Sequence, residues 1–295
     1  MYRPESIVWP PAGNVDHRRG TRSGTGLPGT VGMMTIRVGV FGAGGRMGST
    51  VCRAVAADPD LELVAAVDPS CTGIDFGQAT GAAVPGQVAA DAEALARSGA
   101  QVAVDFTTVD AARENLAWCA DNGVHAVVGT TGFEDPDFEE LARRFTSSNC
   151  VVAPNFAIGA VLMMRFAELA APWFETAEII ELHHNAKVDA PSGTAMLTAT
   201  RMAEASSEWA ADPTRTVVAE GARGGVGPAG IRVHSVRLRG LVAHQEVLLG
   251  TTGQTLSIRH DSTDRESFMP GVLLAVKSVA DRPGLTVGLD AILGI

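Results

Sequence analysis

A β-branched run, Ile36-Arg37-Val38-Gly39-Val40-Phe41, passes directly into Gly42-Ala43-Gly44-Gly45-Arg46-Met47-Gly48 and then into a helical pattern that ends near Ala57, before Asp58-Pro59. No other feature narrows the fold as much. A buried strand that turns through glycines into a helix is the context in which a dinucleotide pyrophosphate is bound. Gly42 permits the tight turn, Gly45 lets the backbone come close to a phosphate, and Gly48 lets the helix lie against the strand. The helix N-terminus adds unpaired N–H groups and a partial positive charge. The spacing, Gly-x-x-Gly-x-x-Gly with Gly44 in addition, is a variant of the usual fingerprint. Asp68 closes the next predicted strand, about 20 residues beyond Gly48, where a carboxylate meets the adenosine ribose hydroxyls. Asp68 favours NADH, while Arg46 in the turn can pair with a 2′-phosphate. The expected cofactor is therefore NADH or NADPH, with NADH at least competent. The plain alternative is a glycine-rich loop beside a solvated Asp.

Beyond the turn, strand and helix signals alternate. Strands are predicted at 36–41, 61–68, 101–106, 125–129 and 150–153, and helices at 45–57, 89–98, 110–122 and 136–145. This rhythm implies right-handed βαβ units. The expected fold is α/β, a Rossmann-type doubly wound parallel sheet, with residues 34–155 as the dinucleotide-binding domain. After Pro154 the pattern changes. A helix at 158–173, a strand at 177–182 and a helix at 193–206 precede alternating strands at 231–238, 243–249 and 255–261. They predict a second, α+β domain over 156–264 with an open, mostly antiparallel mixed sheet. A last helix at 265–280, apolar along Phe268, Val272, Leu273, Val276 and Val279, is expected to fold back so that 265–295 completes the first domain. The glycine-rich 223–230 stretch reads as a mobile loop.

A chain of 295 residues suits about two domains. Its net charge of −10 and pI near 5.2 argue against nucleic acid as a partner, which needs a cationic face. An anionic small molecule is still admissible where Lys, Arg and His cluster locally. Cys52, Cys71, Cys119 and Cys150 form no Cys-x-x-Cys pair, so neither zinc nor a disulfide framework is expected, and a reducing cytoplasm is the simplest location. No apolar run reaches the ~18 residues of a membrane helix, and the N-terminus lacks a signal-peptide core. Residues 1–33 carry Pro4, Pro10, Pro11, Pro28 and His17-Arg18-Arg19 without apolar periodicity, and read as a disordered extension. Met33 and Met34 offer a start just before the first strand. A transit peptide is the weaker reading, given Glu5 and Asp16.

The second concentration of chemistry runs from Glu181 to Ala195: Glu-Leu-His-His-Asn-Ala-Lys-Val-Asp-Ala-Pro-Ser-Gly-Thr-Ala. Adjacent side chains at a strand end point to opposite faces, so His183 and His184 share a site only if the backbone turns at Asn185-Ala186. The helix beginning near Gly193 presents free N–H groups from Ser192, Gly193 and Thr194. With His184 and Lys187 these make a receptor for carboxylates. His183 or Lys187 is then the proton donor. Metal binding is the rival reading of a His pair, but no third ligand of suitable spacing accompanies it, and no metal is expected. Surface histidines beside a capped helix are the unremarked alternative.

At these residues the chain resembles the 4-hydroxy-tetrahydrodipicolinate reductase (dihydrodipicolinate reductase) family of lysine and diaminopimelate biosynthesis. The resemblance runs from Thr35 to the C-terminus and rests on the glycine turn, Asp105-Phe106-Thr107, Gly129-Thr130-Thr131-Gly132, Ala153-Pro154-Asn155-Phe156 and the Glu181–Ala195 block. Residues 1–33 have no counterpart in it. It implies an oxidoreductase that reduces a cyclic dicarboxylate with NADH or NADPH. His183 takes the proton-donor place and Lys187 that of the catalytic lysine. His184, with the Gly193 and Thr194 amides, takes the substrate-carboxylate place. Gly42, Ala43, Gly44, Gly45, Arg46, Met47, Asp68, Gly129, Thr130, Thr131, Ala153, Pro154, Asn155 and Phe156 take the cofactor positions. It also implies a homotetramer built through the open sheet and a hinge at Asn155-Phe156. Two rival readings stay open. One is a dehydrogenase of similar architecture acting on aspartate semialdehyde, homoserine or aspartate. The other is an NAD sensor that binds cofactor without turnover.

Overall fold

The computed structural model describes residues 35–295, so the reading of 1–33 as a disordered extension lies outside the described residues. Strand β1 (Ile36–Phe41) ends in the glycine turn, α1 (Arg46–Ala57) follows, and β2 (Leu61–Val67) returns parallel to β1. Helix α1 stops because Asp58, ahead of Pro59, is held extended. After α2 (Phe76–Thr80) and α3 (Glu93–Ser98) come β3 (Val102–Asp105), α4 (Val109–Asp121), β4 (His125–Val128), α5 (Asp135–Arg144) and β5 (Cys150–Val152). All these strands are parallel, and the sheet order is β11-β5-β4-β3-β1-β2, with β11 at Leu285–Val287. Strands β1 and β3–β5 lie inside the sheet between layers of helix. That is why their sequences are nearly continuous apolar runs.

Three elements depart from expectation in this half, the first being the short α2, where no helix is expected. The helix expected at 89–98 begins only at Glu93. Ala89 is held extended against β2, its N–H donating to the Ala66 carbonyl while its own carbonyl accepts from the Asp68 N–H. Strand β11 lies where no strand is expected. It is three residues long and takes its place only by pairing Leu285 with Cys150 at the far edge of the sheet.

The chain then forms α6 (Ile158–Ala170), β6 (Thr176–His183) and α7 (Gly193–Ala205). Strands β7 (Gly225–Val226), β8 (Arg232–Arg237), β9 (Ala243–Thr251) and β10 (Gln254–Ser262) follow. The second sheet has the order β10-β9-β6-β8-β7. Every pair is antiparallel except β6 and β8, which are joined through α7 and run parallel. Helices α6 and α7 cover one face, where Ala167, Ile179, Ala199, Met202, Val233 and Val247 form a core. The opposite face carries exposed Leu248. The 223–230 stretch, expected as a mobile loop, is instead tied down. Gly225 and Val226 pair with β8, and Arg223 bonds Glu178 at 2.5 Å.

Residues 265–281 form α8 (Met269–Ser278) flanked by single 3-10 turns, and a short α9 (Asp290–Leu293) ends the chain. Val272, Val276 and Val279 join the core of the parallel sheet beside Val51 and Val55 of α1. Lys277 fastens this helix by ion pairs to Asp58 at 2.8 Å and Asp60 at 2.7 Å. Both sheets belong to one compact unit that takes in residues 35–295.

Candidate active site

The glycine turn has the geometry its sequence requires. Gly42 sits at φ +68°, where a side chain is strained. A Cβ on Gly48 would lie 2.0 Å from the Gly42 carbonyl oxygen, so α1 can rest on the turn only with glycine there. A Cβ on Gly45 would meet only that same oxygen at 3.1 Å, and Gly45 lines a cavity of about 790 Å³ with Gly42, Asp68, Phe106, Thr107 and Trp118. Helix α1 has no side-chain cap and no acid in its first turn, which leaves its first N–H groups for a ligand. These features fit a dinucleotide: backbone donors and a close approach for the pyrophosphate, and a carboxylate beside the cavity for a ribose. Asp68 accepts from Gly44 N at 2.9 Å and from Ser70 N at 2.9 Å, which fixes its carboxylate at the end of β2. Arg46 is exposed and makes no ion pair among the described residues.

Asp105 organises the loops beside this turn. It is buried, and its carboxylate accepts from Thr107 N, Thr107 Oγ1, Thr130 Oγ1 and Asn115 Nδ2 at 2.8 to 2.9 Å. Thr130 is therefore held from below, while Thr131 is exposed. Gly129 is required by Phe106, whose ring would be 2.0 Å from a Cβ. Ala43, Ala153 and Phe156 are core residues and can offer a ligand only backbone atoms. Met47 is half-buried and Pro154 exposed. Asn155 points the other way, donating from Nδ2 to Thr194 Oγ1 at 3.4 Å. It thus links the carboxyl end of the parallel sheet to the start of α7.

His183 ends β6. It lines a small cavity of about 40 Å³ with Asn155, Ser192, Thr194, His244, Gln245 and His260. Its Nδ1 lies 2.5 Å from Glu181 Oε2. Glu181 is wholly buried and is gripped on both oxygens by Arg237, from Nη1 and Nη2 at 2.8 Å each, while Ser192 N donates at 3.2 Å. Burial alone would push the Glu181 carboxyl up. The hydrogen bonds from Arg237, Ser235 and His183 outweigh it and hold the group below its ordinary value. Burial pushes His183 down; Lys187 and Arg237 add to that, and Glu181 opposes it. Ser192 caps α7 by accepting from Ala195 N at 3.2 Å, leaving the Gly193 and Thr194 N–H groups at the helix start.

His183, Ser192 and Thr194 are brought together on one cavity, with Asn155. His184 and Lys187 are on the adjoining turn. Lys187 Nζ bonds Asp189 Oδ1 at 2.8 Å, and His184 makes no side-chain hydrogen bond among the described residues. Among the described residues no group of three or more His, Cys, Asp or Glu is placed to hold a metal. Sequence reasoning gave no role to Glu181, Arg237, Gln245 or His260. Glu181 carried a signal, since it lies two positions before His183 on the same strand face. Arg237 carried none until β8 was set beside β6.

A glycine-turn parallel sheet whose carboxyl edge meets, through Asn155, a His–Glu–Arg cluster on a second sheet defines a dinucleotide-dependent oxidoreductase. The family profiles agree with that class: dihydrodipicolinate reductase, N-terminus, matches residues 36–156, and dihydrodipicolinate reductase, C-terminus, matches residues 159–293. The chain belongs to the dihydrodipicolinate reductase family. It is 53% identical over 267 residues to a 4-hydroxy-tetrahydrodipicolinate reductase of Cutibacterium acnes, covering 88% of this chain and 99% of that one. It is 52% identical over 269 residues to the enzyme of that name from Nocardia farcinica, covering 89% and 100%. A solved structure, a dipicolinate-bound dihydrodipicolinate reductase from Paenisporosarcina sp. TG-14, superposes with a TM-score of 0.76 at 41% identity, covering 88% of this chain and 100% of that chain.

Proposed function

We propose that this protein reduces 4-hydroxy-tetrahydrodipicolinate to tetrahydrodipicolinate, in lysine and diaminopimelate biosynthesis, with NADH or NADPH. The observation that carries the reading is the meeting of Asn155, from the end of the dinucleotide sheet, with His183 and Thr194 on one cavity. The backbone of residues 42–48 and Asp68 would hold the cofactor, with residues 129–131 and 153–156 beside it. When bound, the reduced nicotinamide supplies the hydride for the substrate ring.

The chain's own residues do the rest. The N–H groups of Gly193 and Thr194, with His184 and Lys187, hold the substrate carboxylates. Lys187 exchanges its Asp189 partner for the substrate. His183 gives the proton that completes the reduction. Its Nδ1 faces Glu181, which leaves Nε2 for the substrate. We assign residues 34–155 with 265–295 to a dinucleotide domain and 156–264 to a substrate domain. Rotation at Asn155-Phe156 closes one on the other and excludes water. The sheet face away from α6 and α7, with exposed Leu248, supports assembly through that face as a homotetramer. The free thiols support a cytoplasmic location, and no described helix is long and apolar enough to cross a membrane.

The test is cofactor oxidation followed by absorbance, with substrate generated in situ and NADH and NADPH run in parallel. Cofactor binding without substrate-dependent oxidation would sink the reading in favour of a sensor. His183→Ala is expected to lower kcat about 10²- to 10⁴-fold with little change in KM. Lys187→Ala is expected to damage both constants.

A further inference from the structure

The Glu181 carboxylate joins three parts of the proposed donor site. It meets the His183 ring at Nδ1, both terminal nitrogens of Arg237, and the backbone N–H of Ser192, the cap residue of α7. Arg237 Nη2 also donates to the Asp189 carbonyl at 2.6 Å, and Asp189 holds Lys187. A single buried anion is thus bonded to the strand end and to the helix start that would receive a carboxylate and, through Arg237, is tied to the turn that carries Lys187.

We infer that Glu181, held by Arg237, is a positioning residue for the reduction: it fixes the His183 ring with Nε2 toward the substrate and keeps that ring able to carry the proton it donates. The inference rests on the reading of His183 as the donor. Its physical basis is geometric. A neutral imidazole has two tautomers, and a carboxylate 2.5 Å from Nδ1 can only accept there, so Nδ1 keeps its hydrogen. The second hydrogen, on Nε2, is the one to be transferred. An imidazolium needs a nearby anion to persist in this pocket, because every other charge against it is positive or titratable. Arg237 of β8 and Lys187 of the following turn are cations, and His244 of β9 and His260 of β10 line the same cavity. Asp189 is committed to Lys187. Arg237 does for Glu181 what Glu181 does for His183: its two-pronged grip leaves the carboxylate one orientation.

The experiment compares the pH profile of kcat/KM for wild type, Glu181→Gln and His183→Ala, with NADH affinity measured by fluorescence for each. A proton donor works when charged, so the wild-type profile falls as pH rises through the His183 pKa. In Glu181→Gln the loss of the anion is expected to move that falling limb down by about one pH unit or more. At pH 8 the rate is then lower by about tenfold or more, with NADH affinity unchanged. A carboxylate that only tied strands together would lower the rate by one factor at every pH. An unmoved limb therefore overturns the inference. An active His183→Ala enzyme with its limb in place overturns the donor reading itself, so the two failures are distinguishable. Should the unpaired Arg237 unfold Glu181→Gln, the double variant Glu181→Gln/Arg237→Met removes both charges. Its limb must move in the same direction for the inference to stand.

Discussion

Gly48→Ala tests whether the α1 contact holds the cofactor turn together. The new Cβ would lie 2.0 Å from the Gly42 oxygen, 2.6 Å from its carbonyl carbon and 3.0 Å from Ala43 Cα. All three are backbone atoms, and ordinary contact begins at 3.4 Å, so α1 must withdraw from the turn by more than an ångström. Overpacking of this kind costs about 1–3 kcal/mol, and a backbone clash belongs at the upper end. For a chain of this size that is a fall in Tm of roughly 6–12 °C. The same withdrawal displaces the helix N–H groups from the pyrophosphate. Losing one charge-assisted hydrogen bond costs about 1.5–3 kcal/mol, or roughly 10- to 100-fold in the Kd for NADH. Gly45→Ala separates the two effects. Its Cβ meets only the Gly42 oxygen, at 3.1 Å, but stands where the turn faces the cavity. It should melt within about 2 °C of wild type while binding NADH at least about tenfold more weakly, since it overpacks little and obstructs much. Thermal melts and fluorescence titration read both quantities. The reasoning fails if Gly48→Ala melts and binds as wild type, or if Gly45→Ala lowers Tm as far as Gly48→Ala does.

Two further outcomes are expected. Asp105→Ala strips the common acceptor from Thr107, Asn115 and Thr130, at a cost of about 3 kcal/mol, and should lower both Tm and NADH affinity; unchanged melting would show that the loops stand without it. Stability should also fall as pH drops below 6.5, the ordinary histidine value, because burial holds His125 below it and the unfolded chain then binds protons the folded chain resists. His125 Nδ1 accepts from Asn149 N at 3.0 Å, which requires that nitrogen unprotonated. His125→Gln should flatten the slope of Tm between pH 7.5 and 5.5 without abolishing it, since burial also lowers His183 and His260. An unaltered slope would remove His125 from the account.

The parallel sheet was legible because its determinants are local. Each strand is an apolar run, each break is a Gly, Pro or Asp, and the glycine turn states its own geometry. The features that escaped are settled by partners far away in the chain. Ala89 looks helical until β2 holds it extended. Leu285–Val287 is too short to declare itself until β5 offers an edge. Gly225 and Val226 form a strand only against β8.

The site divides along the same line. His183, His184 and Lys187 caught the eye because they are adjacent, yet adjacency on a strand is the wrong relation. Leu182 and His184 flank His183 in sequence, but the residue that shares its face is Glu181, two positions back, and the two are hydrogen-bonded. The neighbour across the sheet is Arg237, which the parallel β6–β8 register sets opposite His183. That register depends on α7 crossing over between the two strands, and α7 begins at Ser192, whose N–H also bonds Glu181. The crossover that creates the parallel pair therefore delivers both the arginine and the start of α7 to the same buried anion. A shift of one residue in the β6–β8 register would turn Arg237 to the other face and leave Glu181 buried without its cation. The cluster thus selects the register as much as the register builds the cluster.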